Sequence, residues 1–163
     1  RLVGTEAGVG VRLDGRMIAS GGDIQLDANG QLSMAQASAG GDVRIRATGI
    51  ETQGPVHAGK QLQVESRGDL VNRQGLTAAG SVQLDAAGQL SNLGGIQAGI
   101  QADGSRAADA DLKISAGAVD NRNQRLIASG DLTLTTGGRL DNQGGSLSAG
   151  RHVDINAATL DNR

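Results

Sequence analysis

A degenerate unit of about twenty residues repeats along most of this 163-residue chain, and that repeat constrains its fold more than any other feature. The clearest copy runs from Gly80 to Gly99. The first apolar residue after each unit's opening glycine falls at Ile24, Val43, Leu62, Val82, Leu112, Leu132 and Val153, at spacings of 19, 19, 20, 30, 20 and 21 residues. The long step carries about ten extra residues over 100–110, including Ala102-Asp103-Gly104-Ser105, which reads as a surface loop at one corner. Inside each unit the apolar residues alternate: Ile24/Leu26, Val43/Ile45, Leu62/Val64, Val82/Leu84, Leu112/Ile114, Leu132/Leu134 and Val153/Ile155. Period two is the signature of a strand with one buried face.

A second apolar site recurs at Leu32, Ile50, Leu70, Leu90, Val119, Leu140 and Leu160. A third is expected at Ile18, Val56, Leu76, Ile96, Leu126 and Leu147. No window carries a sustained i, i+3, i+4, i+7 pattern, so helix is not expected. Three short strands in twenty residues cannot close a core alone, but stacked copies can. The predicted fold is all-β, a right-handed parallel β-helix of about seven coils of 19–21 residues with three short strands each. Its domain organisation is one segment over 1–163 of a longer rod. Residues 1–15 fit the register poorly and are expected to form an irregular coil. Antiparallel hairpins are the competing fold, but Asp14-Gly15, Asn29-Gly30 and Asp103-Gly104 do not recur in register.

Composition agrees with stacking. The chain has no Phe, Tyr, Trp or Cys and 27 glycines, so small aliphatic side chains must fill the interior. Large anchors, on which sandwiches and bundles draw, are missing. The net charge of −2 comes from 15 basic and 17 acidic residues mixed along the chain. Neither a nucleic-acid patch nor membrane insertion is expected from such a pattern.

The triplet apolar-x-Asn recurs at Asn72, Asn92, Asn121, Asn142 and Asn162. Stacked at one corner, each amide can donate to one neighbour and accept from the other. Met34 and Thr52 stand at this position in earlier coils, so the ladder should weaken towards the N-terminus. On the outer face, Arg46, Glu65 and Asp85 fall at one position, and an Arg46–Glu65 pair is expected.

The phrases Gly-Gly-Asp-Val-Arg-Ile (40–45), Ala-Ser-Gly-Asp-Leu-Thr-Leu (128–134), Leu-Asp-Asn-Gln-Gly-Gly (140–145) and Leu-Ser-Ala-Gly-Arg-His-Val (147–153) resemble haemagglutinin repeats. Such repeats occur in large exoproteins of two-partner secretion, the filamentous haemagglutinins and the contact-dependent inhibition proteins. The resemblance covers residues 15–163. It implies a shaft of a secreted adhesin, displayed at a Gram-negative cell surface after export through an outer-membrane transporter partner. An inert shaft of a toxin-delivery protein is the alternative.

Arg67-Gly68-Asp69 is the one binding motif that the repeat does not absorb. It tilts the resemblance towards the adhesins, which are known for such a tripeptide, and implies an integrin-like receptor on the host cell. In that recognition the aspartate completes a metal site on the receptor and the arginine enters an acidic pocket. The triplet aligns with Ala87-Gly88-Gln89 and Gly137-Gly138-Arg139, a turn, so Arg67 and Asp69 are expected to face solvent. Short motifs also arise by chance, and a tight turn presents charges less prominently than a flexible loop does.

No catalytic residues, cofactor or metal are expected. His57 and His152 are placed at equivalent repeat positions, far apart along the rod and without spaced Cys or His partners. Asp103, Asp109 and Asp111 are the only local carboxylate cluster, and no aromatic platform accompanies them. An enzymatic site is therefore not expected.

Overall fold

The computed structural model describes residues 1–163. It is a parallel β-solenoid of about eight turns, built from seventeen strands in one continuous sheet with no helix. All strand pairings are parallel. An isolated antiparallel bridge, Ile100 to Arg106, lies outside them. Like positions stack as the repeat requires. The first wall carries the ladder Ile24–Val43–Leu62–Val82–Leu112–Leu132–Val153, with Leu26 to Ile155 beside it. The second wall stacks Leu32, Ile50, Leu70, Leu90, Val119, Leu140 and Leu160.

Apart from Val153, Ile155 and Leu160 in the last coil, these ladders lie in one core of 34 buried apolar residues, with Val56, Leu70, Leu76, Leu90, Ile96, Leu112 and Leu126 fully enclosed. Two corners are filled by small residues. Ala39, Ala58, Ala78, Ala98, Ala128 and Ala149 form one such file. Ala47, Ser66, Ala86, Ala116, Thr136 and Ala157 form the other. A large residue at these corners would push neighbouring walls apart, since interiors pack without spare volume. Aromatic rings are absent from an interior this narrow.

Three features differ from the sequence reading. The third-wall residue of the first coil is Met17, which pairs with Ala37, and not Ile18, which points outward and is 59% exposed. A bulge between Leu13 and Arg16 shifts the alternation by one, and a one-residue slip exchanges the faces. Residues 1–15 do join the stack. Leu2–Gly4 pairs with Leu26–Ala28, and Val11 and Leu13 pair with Leu32 and Met34, with residues 1 and 5–10 outside strands. This adds a turn to the seven expected. Finally, several coils merge the first two strands into one bent strand. Val82–Asn92 turns its corner at a register shift between Ala86 and Gln89 without breaking.

The insertion over 100–110 leaves the corner between Ile96–Ala98 and Leu112–Asp120 as a short hairpin. Gln101 and Gly104 close its turn through backbone hydrogen bonds to Ser105 O and Gln101 O.

Candidate functional site: an exposed Arg-Gly-Asp turn beside a buried asparagine ladder

The turn Arg67-Gly68-Asp69 connects Leu62–Ser66 on the first wall to Leu70–Asn72 on the second. Arg67 and Asp69 are both exposed. Below the turn, the Arg67 amide donates to Ala47 O at 3.0 Å, and the Ile50 amide donates to Asp69 O at 3.0 Å. Above it, the Gly88 amide donates to Gly68 O at 2.9 Å. Ser66 Oγ braces the turn from inside by donating to Asp69 O at 2.8 Å. The Asp69 carboxylate is itself part of the stack, because Oδ1 accepts the Gln89 amide of the next coil at 2.8 Å. Arg67 takes part in none of the ion pairs of the chain. Glycine is required at 68, where a Cβ would meet Thr48 O at 2.8 Å. One guanidinium and one carboxylate oxygen thus project from a rigid turn on the rod's side.

One corner further on, the structure brings the five asparagines together. Asn72 Nδ2 donates to Asn92 Oδ1 at 2.8 Å, Asn92 to Asn121 at 2.6 Å, Asn121 to Asn142 at 2.6 Å, and Asn142 to Asn162 at 2.6 Å. The remaining Nδ2 hydrogens of Asn72 and Asn121 go to Gly95 O and Gln124 O. Asn72, Asn92, Asn121 and Asn142 are buried, and the ladder ends downward on Thr52, whose Oγ1 donates to Asn72 Oδ1 at 3.3 Å. Met34 occupies the position below Thr52. The ladder satisfies amides that no water reaches, so its role is structural.

A second polar ladder escaped the sequence reading. At the corner before the first wall, Asp23 Oδ1 accepts the Asp42 amide, and Asp42 Oδ1 accepts the Gln61 amide. Further along, Ser81 Oγ accepts the Asp111 amide, Asp111 the Asp131 amide, and Asp131 the His152 amide. The signal was present as the polar residue preceding Ile24, Val43, Val82, Leu112 and Leu132, but it reads as ordinary turn chemistry until the coils are stacked.

Arg151 organises the end of that ladder. Its guanidinium reaches Asp111 Oδ1 at 3.0 Å and Asp131 Oδ1 at 3.1 Å, and it also pairs with Asp109 at the base of the hairpin. Asp103 is not part of this group, since Ser105 N and Oγ hold its carboxylate at the hairpin tip and lower its pKa. The expected carboxylate cluster is therefore an ion-pair clasp. Arg151, with a smaller contribution from His152, draws the Asp131 pKa from 3.8 down to about 2. A depressed carboxylate stabilises the fold above its ordinary pKa, and that contribution is lost as pH falls towards about 2. In Arg151→Gln, the Asp131 titration followed by NMR should move up towards 3.8, with faster amide exchange over 100–110. An unmoved Asp131 would show that the clasp does not form.

The two histidines are not equivalent. His57 lies on the third wall in the outward file Ile18–Ser38–His57–Thr77–Gln97, whereas His152 stands at the corner before the first wall, paired with Asp131 at 3.1 Å. Glycines precede both at different distances, and only the strand register separates the two positions. The Arg46–Glu65 pair is present at 3.0 Å and is exposed on both sides, so its contribution is small. No group of three or more His, Asp or Glu side chains is disposed to hold a metal ion. The chain contains no helix long and apolar enough to cross a membrane.

Stacked ladders and small-residue corners define a parallel β-solenoid. The family model described as haemagglutinin repeat matches residues 3–94 and 96–163, and the chain belongs to that family. The family is structural rather than catalytic, and its members are typically secreted, extracellular proteins. No curated protein and no solved structure matches the chain.

Proposed function

We propose that this chain is a length of shaft in a bacterial adhesin displayed at the Gram-negative cell surface, and that its Arg67-Gly68-Asp69 turn engages an integrin-like receptor on host cells. Export would use an outer-membrane transporter partner, as the two-partner secretion resemblance implies. The observation that carries the receptor reading is the exposure of Arg67 and Asp69 on a turn stacked above and below. A turn already fixed in one conformation loses little entropy on binding.

The test separates charge from architecture. Asp69→Asn keeps an oxygen for the Gln89 amide but removes the charge that a receptor metal needs. It should abolish divalent-cation-dependent attachment of integrin-bearing cells to immobilised protein while leaving the thermal transition in place. Asp69→Glu should also lose attachment, because its longer side chain moves the carboxylate off Gln89. Attachment by Asp69→Asn equal to that of the parent protein would exclude the receptor role.

One observation favours a second reading. Gly68 and Asp69 both serve the stack itself, so the triplet is accounted for without a receptor. On that reading the segment is an inert spacer, as in the shaft of a contact-dependent inhibition protein.

A further inference from the structure

His57 is the only side chain with a buried polar atom lacking a hydrogen-bond partner. Its Nδ1 lies 2.9 Å from Thr77 Oγ1, and that hydroxyl donates its own hydrogen to Val56 O at 3.2 Å. With that bond made, Thr77 Oγ1 accepts from a protonated Nδ1; Nε2 is sealed from water and has no partner in either tautomer. This arrangement suits the neutral imidazole alone. A second proton would place a charged N–H where nothing accepts it, and burial already lowers the His57 pKa from 6.5.

The open space beside the ring is a groove of about 370 Å³. Ser38, Gly40, His57 and Gly59 line it together with Ile18 and the hairpin residues Gln101 and Ala102. His57 is the only titratable residue lining the groove. The neighbouring strands Gln31–Ala39 and Leu76–Ala78 bring no titratable group to the ring. The closest charges along the chain are exposed: Lys60 at the next corner, and Asp103 and Arg106 on the hairpin, with Asp103 held by Ser105. None of them forms an ion pair with His57.

We infer that His57 is an acid-sensitive latch for the hairpin over Ile100–Arg106. Protonation turns the imidazole away from Thr77 into the groove to hydrate Nε2, and the hairpin wall yields to admit it. The rest of the rod keeps its register, because the core side of this wall, Val56 and Ala58, is untouched. The sign follows from the lowered pKa. The latched state is favoured above the ordinary histidine range and weakens as pH falls through and below about 6.5.

Hydrogen–deuterium exchange read by mass spectrometry, corrected for the intrinsic pH dependence of exchange, tests this on the full chain. Between pH 7.5 and 5.5, protection over 99–107 should fall by up to about tenfold, the equivalent of about 1.4 kcal/mol, with protection of Leu84, Leu90 and Leu112 unchanged. His57→Phe keeps a ring of similar shape but cannot titrate, and its hairpin protection should be the same at both pH values. Thr77→Val removes the hydroxyl that fixes the tautomer, and should raise the pH at which the hairpin loosens. Hairpin protection that is independent of pH in the parent protein, or equally pH-dependent in His57→Phe, would overturn the proposal.

Discussion

Asn121→Ala should lower the stability of the rod by about 2–5 kcal/mol, because the change strands partners on both sides of it. Asn92 Nδ2 loses its acceptor, Asn142 Oδ1 loses its donor, and Gln124 O loses a further hydrogen bond, all at a position of zero exposure. Each unsatisfied buried group costs about 1–3 kcal/mol. Asn162→Ala is the matched control. Asn162 is exposed and ends the ladder, so its loss should cost less than about 1 kcal/mol. Urea midpoints of the two variants would separate a cooperative interior ladder from a row of independent turn residues. Equal midpoints would favour the latter.

Gly94→Ala should be comparably damaging, at about 3 kcal/mol or more. A Cβ at this position would lie 2.2 Å from Gln74 C and 2.5 Å from both Gln74 Cα and Gln74 O. All three belong to the backbone of the coil below, so no rotamer change relieves the overlap. The two coils are held at that distance by the Leu93 amide donating to Asn72 O at 2.7 Å and by the pairing of Leu90 and Asn92 with Leu70 and Asn72. The only relief is to open the stack. Gly137→Ala provides the contrast, since nothing lies within 4 Å of its Cβ position. That change should be neutral or stabilise by about 0.4–1 kcal/mol through the unfolded chain. Paired thermal melts of Gly94→Ala and Gly137→Ala check both statements, and similar melts would mean that coil spacing is not what these glycines serve.

The fold was legible in the sequence where a side chain's period and type both repeat. The Leu90 and Asn92 files could be read directly, because an apolar residue and an amide two positions apart recur from Leu70 to Asn162. At Met17 and Ile18 both adjacent residues are apolar, and only the bulge after Leu13 decides which one turns inward. The same bulge concealed the register of residues 1–15, since Val11 and Leu13 alternate correctly but the spacing to the next wall is shifted. The aspartate ladder was hidden for a different reason. Asp, Gln, Ser and His all occupy that corner, and only the Asp and Ser side chains accept an amide from the next coil, which shows only once the coils are stacked. At the candidate site, the exposure of Arg67 and Asp69 followed from their alignment with glycine-rich turns. The bond from the Gln89 amide to Asp69 could not be read, because it joins residues in different coils.

The chain has no cysteine, so an engineered pair reports the stacking register directly. Gln83 and Lys113 are exposed neighbours on adjacent coils, 30 residues apart because the hairpin intervenes. Paired parallel strands hold their Cα atoms about 4.8 Å apart, within the span of a disulfide. Asp103, by contrast, stands where an uninterrupted twenty-residue period would place the partner of Gln83. On mild oxidation, Gln83→Cys/Lys113→Cys should form an intramolecular disulfide in high yield, and Gln83→Cys/Asp103→Cys should remain reduced. A disulfide in the second pair but not the first would contradict the stacked solenoid with its hairpin looped out.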